Sequence, residues 1–454
     1  MPNKPSRNNI FILGLDAFQL DKLKTIHDAD SYAFHGLLDV DLVVHPNACS
    51  FTTMLELARQ QLSAFPGTVD GIIAHWDFPT SILAPVLCRD FGIPAPPLRS
   101  VFKCEHKYWS RVEQQKSIPD CIPRFCCFDP FHDQALAQIH LDYPFWIKPV
   151  KSFSSQLGFV IGNADDFQHA IGRIRKGIGR VGDAFDEALQ LLRLPRGIRA
   201  STGSYCIAEE IIQGVQAAPE GSMCQGEFRV HGIIDMDKNA SGHSFDRLVY
   251  PSTLPARIQQ RMINASERFL RHIGFDNGCF NAEFMWDQAN DRLQLVEVNT
   301  RISQSHSDLF TKVDGMSNHE VAVSVALGRR PVLPHRQGRY QIAAKCLITH
   351  DADGIVSRIP DDDALRRLGK RFPGTHIRLD VRPGMRLSQT PNQGSYRYTL
   401  GAIYLGADNH DHLLRKYEDC LAALDFAFQP PLPPPDTPVG ECTATGPGIQ
   451  PEAG

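Results

Sequence analysis

The segment 280–301, FNAEFMWDQANDRLQLVEVNTR, predicts a β-hairpin. Apolar and polar residues alternate through 280–286 and again through 292–299, which is the pattern of two half-buried strands. The residues between the two runs are mostly Asp, Asn and Gln, which favour a turn. A hairpin that folds symmetrically about this turn places Glu283 directly opposite Glu297. The sequence therefore predicts a pair of carboxylates on one face of a sheet.

The same register places Asn281 opposite Asn299, on the face that carries the two glutamates, and Arg301 just beyond the second strand. The opposite face is expected to be core, because it carries apolar side chains. On that face the predicted pairs are Ala282 with Val298 and Phe284 with Val296.

A divalent cation would make the pair of glutamates tolerable. Directly paired residues have Cβ atoms roughly 5 Å apart, and like charges so placed are destabilising unless something neutralises them. Glu283, Glu297 and Asn299 offer only oxygen ligands, which suit Mg²⁺ or Mn²⁺ and argue against zinc. The alternative is a solvated hairpin with an acidic outer face. The strongly apolar neighbours and the motifs upstream favour the metal site.

Composition argues against several classes of protein. The chain has 454 residues, which is enough for two to three domains. Its formal net charge is -4 and 22% of its residues are charged, which does not suggest that it binds nucleic acid or a membrane surface. The apolar run near the N-terminus is short and soon reaches Asp16, so neither a signal peptide nor a membrane anchor is expected. The twelve cysteines are scattered, which favours reduced thiols and a cytoplasmic location.

The order of patterns along the chain predicts several domains. Strand-like runs at 9–15 and 69–75 alternate with helical patterns at 17–26 and 81–91, which predicts a parallel α/β domain over about the first hundred residues. Helical patterns at 165–194 and 317–327, a polar loop at 303–310, and a strand-rich region at 338–428 closed by a helix at 410–426 follow. The tail from residue 429 is rich in Pro and Gly, and is expected to be disordered.

Basic residues upstream of the hairpin could bind an anion. Lys103, Lys107 and Arg111 recur every fourth residue, so a single helix would place three cations along one face, unless they form a solvated stripe. Lys148 lies in the apolar run YPFWIKPV, where an unpaired ammonium group is costly. It therefore needs an anionic partner, or its head group must reach water.

Two further segments have features of a nucleotide site. The loop KSFSSQLG, 151–158, has small residues that let backbone N–H groups approach phosphate oxygens, although a plain hairpin loop is the alternative. The segment YCIAEEIIQGVQ, 205–216, predicts a strand that ends in a turn at Gly214. Backbone groups that leave a sheet in this way can be completed by an adenine ring.

Together these motifs resemble the ATP-grasp superfamily from about residue 10 to 428. The shared order is an N-terminal α/β domain, a KxxxR helix, a lysine that closes a PxxxKP strand, a small-residue loop, an EExxxGx segment, a glutamate and an ExNxR motif. In this sequence the motif residues are Lys107, Arg111, Lys148, Glu209, Glu210, Gly214, Glu283, Glu297, Asn299 and Arg301. The C-terminal third resembles the trailing domain of the carboxylate-amine ligase branch, which includes amino-acid ligases and relatives of biotin carboxylase.

The resemblance implies a role for each matching residue. Lys107 and Lys148 would contact the phosphates of ATP, with Ser154 and Ser155 in the covering loop. The adenine would be held by Glu209, Glu210 and the backbone near Ile211 and Ile212, and the ribose by Gln216, where relatives usually have Glu. The metal ligands would be Glu283, Glu297 and Asn299, which hold two Mg²⁺ or Mn²⁺ ions. The residues of the chemical step would be Arg301, Lys148 and Asn299.

The resemblance also implies the activity and the architecture. It implies an α/β and α+β multidomain protein with the ATP-grasp fold, divided at 1–98, 99–335, 336–428 and a tail from 429 to 454. The activity would be ADP-forming ligation of a small-molecule carboxylate to an amine through an acyl phosphate. A thiol acceptor, a phosphotransferase and a nucleotide-binding module without catalysis remain alternatives, and a homodimer is left open.

Overall fold

Short apolar runs near the N-terminus form a parallel sheet. A computed structural model of the chain describes residues 7–44, 49–152, 157–238, 245–390 and 397–430. Its first three strands are β1 (Asn8–Leu13), β2 (Tyr32–Leu37) and β3 (Gly71–Ala74), and both neighbours run parallel to the central β1. Parallel strands need crossover connections. The helices of this region are α1 (Ala17–Leu23), α2 (Val40–Val44), α3 (Phe51–Ala64) and α4 (Thr80–Phe91). The predicted parallel α/β arrangement is confirmed.

The helix expected to carry three aligned cations is broken into two. Helix α5 (Leu98–Glu105) ends at His106, and α6 (Lys107–Ser117) begins immediately after it. The backbone of His106 is extended, its Nδ1 accepts a hydrogen bond from the N–H of Trp109, and its Nε2 lies 2.7 Å from the carbonyl oxygen of Ser201. This contact with a distant segment stabilises the break. The prediction of one continuous basic face is therefore wrong.

A four-stranded antiparallel sheet forms the next layer. Its strands are β4 (Phe125–Phe128), β5 (Phe145–Pro149), β6 (Phe159–Ile161) and β7 (Cys206–Glu210), in the order β4-β7-β5-β6. Apolar side chains of α7 (Ala164–Gly177) pack against it, among them Phe167 and Ile171. Helices α8 (Gly179–Leu189) and α9 (Arg196–Arg199) follow α7 along the chain.

The largest sheet has eight strands and includes the hairpin. Its strand order is β12-β11-β8-β9-β10-β13-β16-β15, and all its neighbours are antiparallel. The strands are β8 (Val215–Cys224), β9 (Glu227–Lys238), β10 (Phe245–Tyr250), β11 (Gly278–Asp287), β12 (Arg292–Asn299), β13 (Ile342–His350), β15 (His376–Leu379) and β16 (Tyr398–Ala407). Because β13 pairs with β10, the sheet runs continuously across the domain boundary expected near residue 335.

One face of this sheet is core and the other is polar. Helix α10 (Ala256–Ile273) places Ile258, Met262, Ala265 and Phe269 along one side, and these residues share a cluster with Ala282, Phe284 and Val298 of the hairpin. Burial at helical spacing of this kind anchors α10 to the sheet. The polar side chains of the hairpin are consequently directed to the opposite face.

The remaining elements complete the C-terminal part. They are α11 (Ser307–Asp314), α12 (His319–Ala326), β14 (Ile355–Arg358), α13 (Asp362–Arg371), α14 (His410–Ala422) and β17 (Ala427–Gln429). Residues 303–310, predicted to be a loop, instead enter helix α11 at Ser307. Within the described ranges, no helix combines the length and the apolar character needed to span a membrane.

Candidate nucleotide and metal site

A cavity of about 990 Å³ is lined by the four-stranded sheet and by the polar face of the eight-stranded sheet. It brings together most of the residues that the sequence analysis selected. These are Lys107, Lys148, Glu209, Glu210, Ile211, Ile212, Gln216, Glu283, Glu297, Asn299 and Arg301. Ser154 and Ser155 lie outside the described residues. These selected positions are up to 194 residues apart in the chain, from Lys107 to Arg301.

The predicted register of the hairpin is confirmed on its polar face. Glu283 pairs directly with Glu297, and Asn281 pairs with Asn299. Beyond Glu283 the register shifts, so that Phe284 meets Leu295. The predicted pairing of Phe284 with Val296 is therefore wrong.

The displaced residue, Val296, marks a β-bulge. A bulge places an extra residue in one strand and bends it locally. Here Val296 lines the cavity, and its carbonyl oxygen accepts a hydrogen bond of 3.0 Å from Nη2 of Arg111. The bulge thus ties the hairpin to helix α6.

The two paired glutamates have opposite electrostatic surroundings. Burial, followed by the charge of Glu297, raises the pKa of Glu283. Glu283 accepts hydrogen bonds from Nε2 of Gln216 at 2.9 Å and from Nδ2 of Asn299 at 3.3 Å. Burial would also raise the pKa of Glu297, but the charges of Lys107 and Lys148 outweigh burial and lower it.

The side chains around Glu283 fit a hard divalent cation. The donor atoms are carboxylate and amide oxygens, which suit Mg²⁺ or Mn²⁺. Burial and the charge of Glu297 both raise the pKa of Glu283, and a bound cation would offset both effects. Nδ2 of the neighbouring Asn281 is buried without a hydrogen-bond partner among the described residues, so this amide is not committed to another protein group.

Lys148 is held by a buried carboxylate. Its Nζ lies 2.7 Å from Oε2 of Glu209, whose other oxygen lies 2.5 Å from Nε of Arg111. The side chain of Glu209 is only 4% exposed, and although burial would raise its pKa, the two cations lower it to about 2. The two carboxylate oxygens of Glu209 thus form separate ion pairs, one with Lys148 and one with Arg111. These ion pairs hold the ammonium group of Lys148 in place.

The segment after Glu209 forms a rim of the cavity. Strand β7 ends at Glu210, which pairs with Arg124, and residues 211–214 leave the sheet before β8 begins. Gly214 has a φ of 113°, and a Cβ atom there would lie 2.0 Å from the carbonyl oxygen of Trp286. Only glycine fits this turn without a shift of the backbone.

Arg301 is fixed by a carboxylate that the sequence analysis did not select. Its Nε and Nη2 lie 2.7 and 2.6 Å from Oδ1 of Asp77. Asp77 follows β3 in the N-terminal sheet, at the carboxyl end of a parallel strand, where such folds commonly place functional side chains. Its position just after a predicted parallel strand is the feature of the sequence that could have identified Asp77.

Other charged residues of the cavity were also missed, among them Lys151, Glu105 and Lys345. Lys151 forms a short ion pair with Glu105, at the end of α5. Lys345, on β13, donates a hydrogen bond of 2.8 Å to Oγ of Ser305. Both lysines line the cavity. Lys151 begins the small-residue loop 151–158, whereas the neighbours of Lys345 in sequence form no motif.

Comparison with known proteins gives the same fold. Residues 141–307 match the family model of the ATP-grasp domain. An L-amino acid ligase from Bacillus licheniformis is 16% identical, with a TM-score of 0.68 over 94% of this chain and 100% of that chain. A biotin carboxylase from Campylobacter jejuni is 14% identical, with a TM-score of 0.61 over 92% of each chain.

A third solved structure agrees with these two. An N5-carboxyaminoimidazole synthase from Aspergillus clavatus, in complex with ADP and 5-aminoimidazole ribonucleotide, is 13% identical. Its TM-score is 0.60, over 92% of this chain and 98% of that chain. Residues 141–307 thus match the ATP-grasp domain, and the solved structures share the fold over more than nine-tenths of this chain.

Proposed function

We propose that the chain is an ATP-dependent, ADP-forming ligase that joins a small-molecule carboxylate to an amine through an acyl phosphate. The observation that carries the proposal is the pair Glu283 and Glu297, which lie opposite each other in a cavity that also holds Lys107, Lys148 and Arg301. Two adjacent carboxylates surrounded by cations suit the binding of a metal and a polyphosphate. An L-amino acid ligase is among the similar structures.

The proposed chemistry needs positive charge around the phosphoryl group that is transferred. A carboxylate does not react with an amine at neutral pH because its oxygen is a poor leaving group. Transfer of the γ-phosphoryl group of ATP to that oxygen gives an acyl phosphate, which an amine can attack with release of phosphate. Phosphoryl transfer requires mainly positioning and cations around the phosphate oxygens.

Three cations of the cavity have distinct roles in the proposal. Lys107 and Lys148 would bind phosphate oxygens of ATP, and Arg301, oriented by Asp77, would bind the transferred group. Lys107 Nζ lies 2.9 Å from Glu297, so it can exchange this carboxylate for a phosphate oxygen. Gln216 would contact the ribose, and the backbone of 209–212 the adenine.

Glu283, Glu297 and Asn299 would hold two Mg²⁺ or Mn²⁺ ions, which supply positive charge beside the phosphate oxygens. Gln216 and Asn299 orient Glu283 through their amide hydrogen bonds.

The proposal also includes three predictions about the whole chain. These are the domain bounds 1–98, 99–335 and 336–428, a cytoplasmic location, and a homodimer. Size-exclusion chromatography with light scattering tests the last of these.

A coupled assay of ADP release tests the activity. The chain is incubated with ATP, Mg²⁺, pooled carboxylic acids and pooled amines, and products are identified by mass spectrometry. ADP release that needs both pools, with an amide product, supports the proposal. Product with coenzyme A but without amine would identify a thiol ligase, and a released phosphorylated acceptor would identify a phosphotransferase. ATP binding without turnover would leave a nucleotide-binding module.

A further inference from the structure

Lys345 is a cavity lysine that differs from its neighbours in lacking an ion pair. Cavity cations paired with a carboxylate are Lys107 with Glu297, Lys148 with Glu209, Lys151 with Glu105, Arg301 with Asp77 and Arg247 with Asp237. Over the described ranges, Lys345 forms no such pair and donates instead to the hydroxyl of Ser305. Lys345 is half-buried, and an ammonium group that is partly removed from water without a counter-ion is costly.

The surroundings of Lys345 reinforce its need for an anion. Its Nζ lies 5.9 Å from the ring centroid of Tyr404. Burial, followed by the charge of Arg378, lowers the pKa of Lys345 to about 8, and the opposing charge of Asp380 is too weak to compensate. A bound anion would reverse this effect.

Lys345 is positioned in the cavity by its contact with the loop that follows β12. It lies on β13, which four strands separate from β12 in the eight-stranded sheet. Its partner Ser305 lies four residues beyond Arg301. Leu347 and Thr349 continue the same face of β13 along the cavity. Through Ser305, Lys345 is therefore tied to the segment that follows Arg301.

Ser305 can complete an anion site. Its oxygen accepts a hydrogen bond from Lys345, which leaves its hydroxyl hydrogen free to donate to another acceptor. An ammonium and a hydroxyl side by side offer a carboxylate two donors, one of them charged.

We propose that Lys345 and Ser305 bind a substrate carboxylate other than the one that ATP activates. This assignment rests on the proposed function and narrows its substrates: one of them carries an additional carboxylate. That group belongs either to an amino acid that serves as the amine, or to a dicarboxylate that serves as the acid.

The test compares matched substrates with and without the extra carboxylate. Pooled amino acids are compared with their α-carboxamides as amines, and pooled dicarboxylates with their half-amides as acids, in the ADP release assay. The proteins are the full-length wild type, Lys345→Met, Lys345→Arg and the exposed control Lys370→Met on α13. ATP binding and melting temperature are measured for each to confirm folding.

A charge-assisted hydrogen bond corresponds to about a tenfold to hundredfold preference. We expect wild type to favour the carboxylate form of one substrate by that factor in kcat/KM. Lys345→Met should lose the preference mainly through KM, Lys345→Arg should retain much of it, and Lys370→Met should match wild type. Whichever substrate shows the preference identifies the source of the anion.

Three other outcomes overturn the assignment. If wild type forms product but Lys345→Met, folded and binding ATP, keeps the same preference, the site is wrong while the proposed function stands. An equal loss of kcat on both members of a pair would likewise exclude anion binding and indicate proton transfer. If wild type shows no ADP release with any pool, the proposed function fails together with this assignment.

Discussion

Replacement of Glu209 by Gln should destabilise the fold, because it removes the charge of a carboxylate that forms two buried ion pairs. Glu209 is buried between Arg111 and Lys148, and these cations lower its pKa to about 2 from the ordinary value of 4.5. By linkage, the shift corresponds to about 3 kcal/mol of stability at neutral pH. Removal of one partner of a buried ion pair typically costs about 3–5 kcal/mol, which agrees.

The sign of the pH dependence follows from the lowered pKa. The contribution of Glu209 is fully present above the pKa of the unfolded chain, about 4.5, and is lost as the pH falls towards about 2. Wild type should therefore lose this stability between those pH values, whereas Glu209→Gln should lack this component. Unfolding by urea, followed by tryptophan fluorescence at pH 7 and at pH 3, measures both effects.

The adjacent residue provides a matched control. Glu210 also pairs with an arginine, but its partner Arg124 is 59% exposed, and exposed pairs contribute at most about 1 kcal/mol. Glu210→Gln should consequently cost far less than Glu209→Gln at pH 7. Equal losses in the two variants would refute the idea that Glu209 is the buried electrostatic anchor of Lys148.

Three other predictions concern the cavity. Asp77→Asn should lower kcat about tenfold or more with little change in ATP affinity, because Arg301 loses its orienting partner. Assays of ADP release measure kcat, and titration with nucleotide measures the ATP affinity. Gly214→Ala should lower the melting temperature and weaken ATP binding, because its Cβ would collide with the carbonyl of Trp286, whereas unchanged values would contradict the turn geometry. The KM of the carboxylate-bearing substrate should rise above about pH 8, because Lys345 then loses its charge, and Lys345→Arg should remove this rise in a pH profile.

The hairpin could be predicted because its information is local. The alternation on either side of a short polar turn determines which side chains share a face, and this determined the pairing of Glu283 with Glu297. The bulge at Val296 could not be predicted in the same way. It is accompanied by a contact from Arg111, 185 residues away in sequence, and the strand pattern carries no trace of that contact.

The break at His106 and the partners of the cations depend on tertiary structure. Neither Gly nor Pro interrupts residues 98–117, so local propensity favours one helix, and the contact of His106 with Ser201 appears only in the folded chain. Asp77, which follows β3, and Lys345, on β13, are both remote from the hairpin in sequence. Their roles become visible only when the N-terminal sheet and β13 are placed beside the loop that follows β12.

Product analysis of Glu297→Gln tests the central claim most directly. Wild type and variant are incubated with ATP, Mg²⁺ and a productive pair of substrates, the nucleotides are separated by chromatography, and Glu267→Gln on α10 serves as the exposed control. We predict ADP and phosphate from wild type and control, and no turnover from a Glu297→Gln protein that keeps its circular dichroism spectrum and remains folded at the assay temperature. Wild-type turnover by Glu297→Gln, or AMP and pyrophosphate as products, would contradict the account.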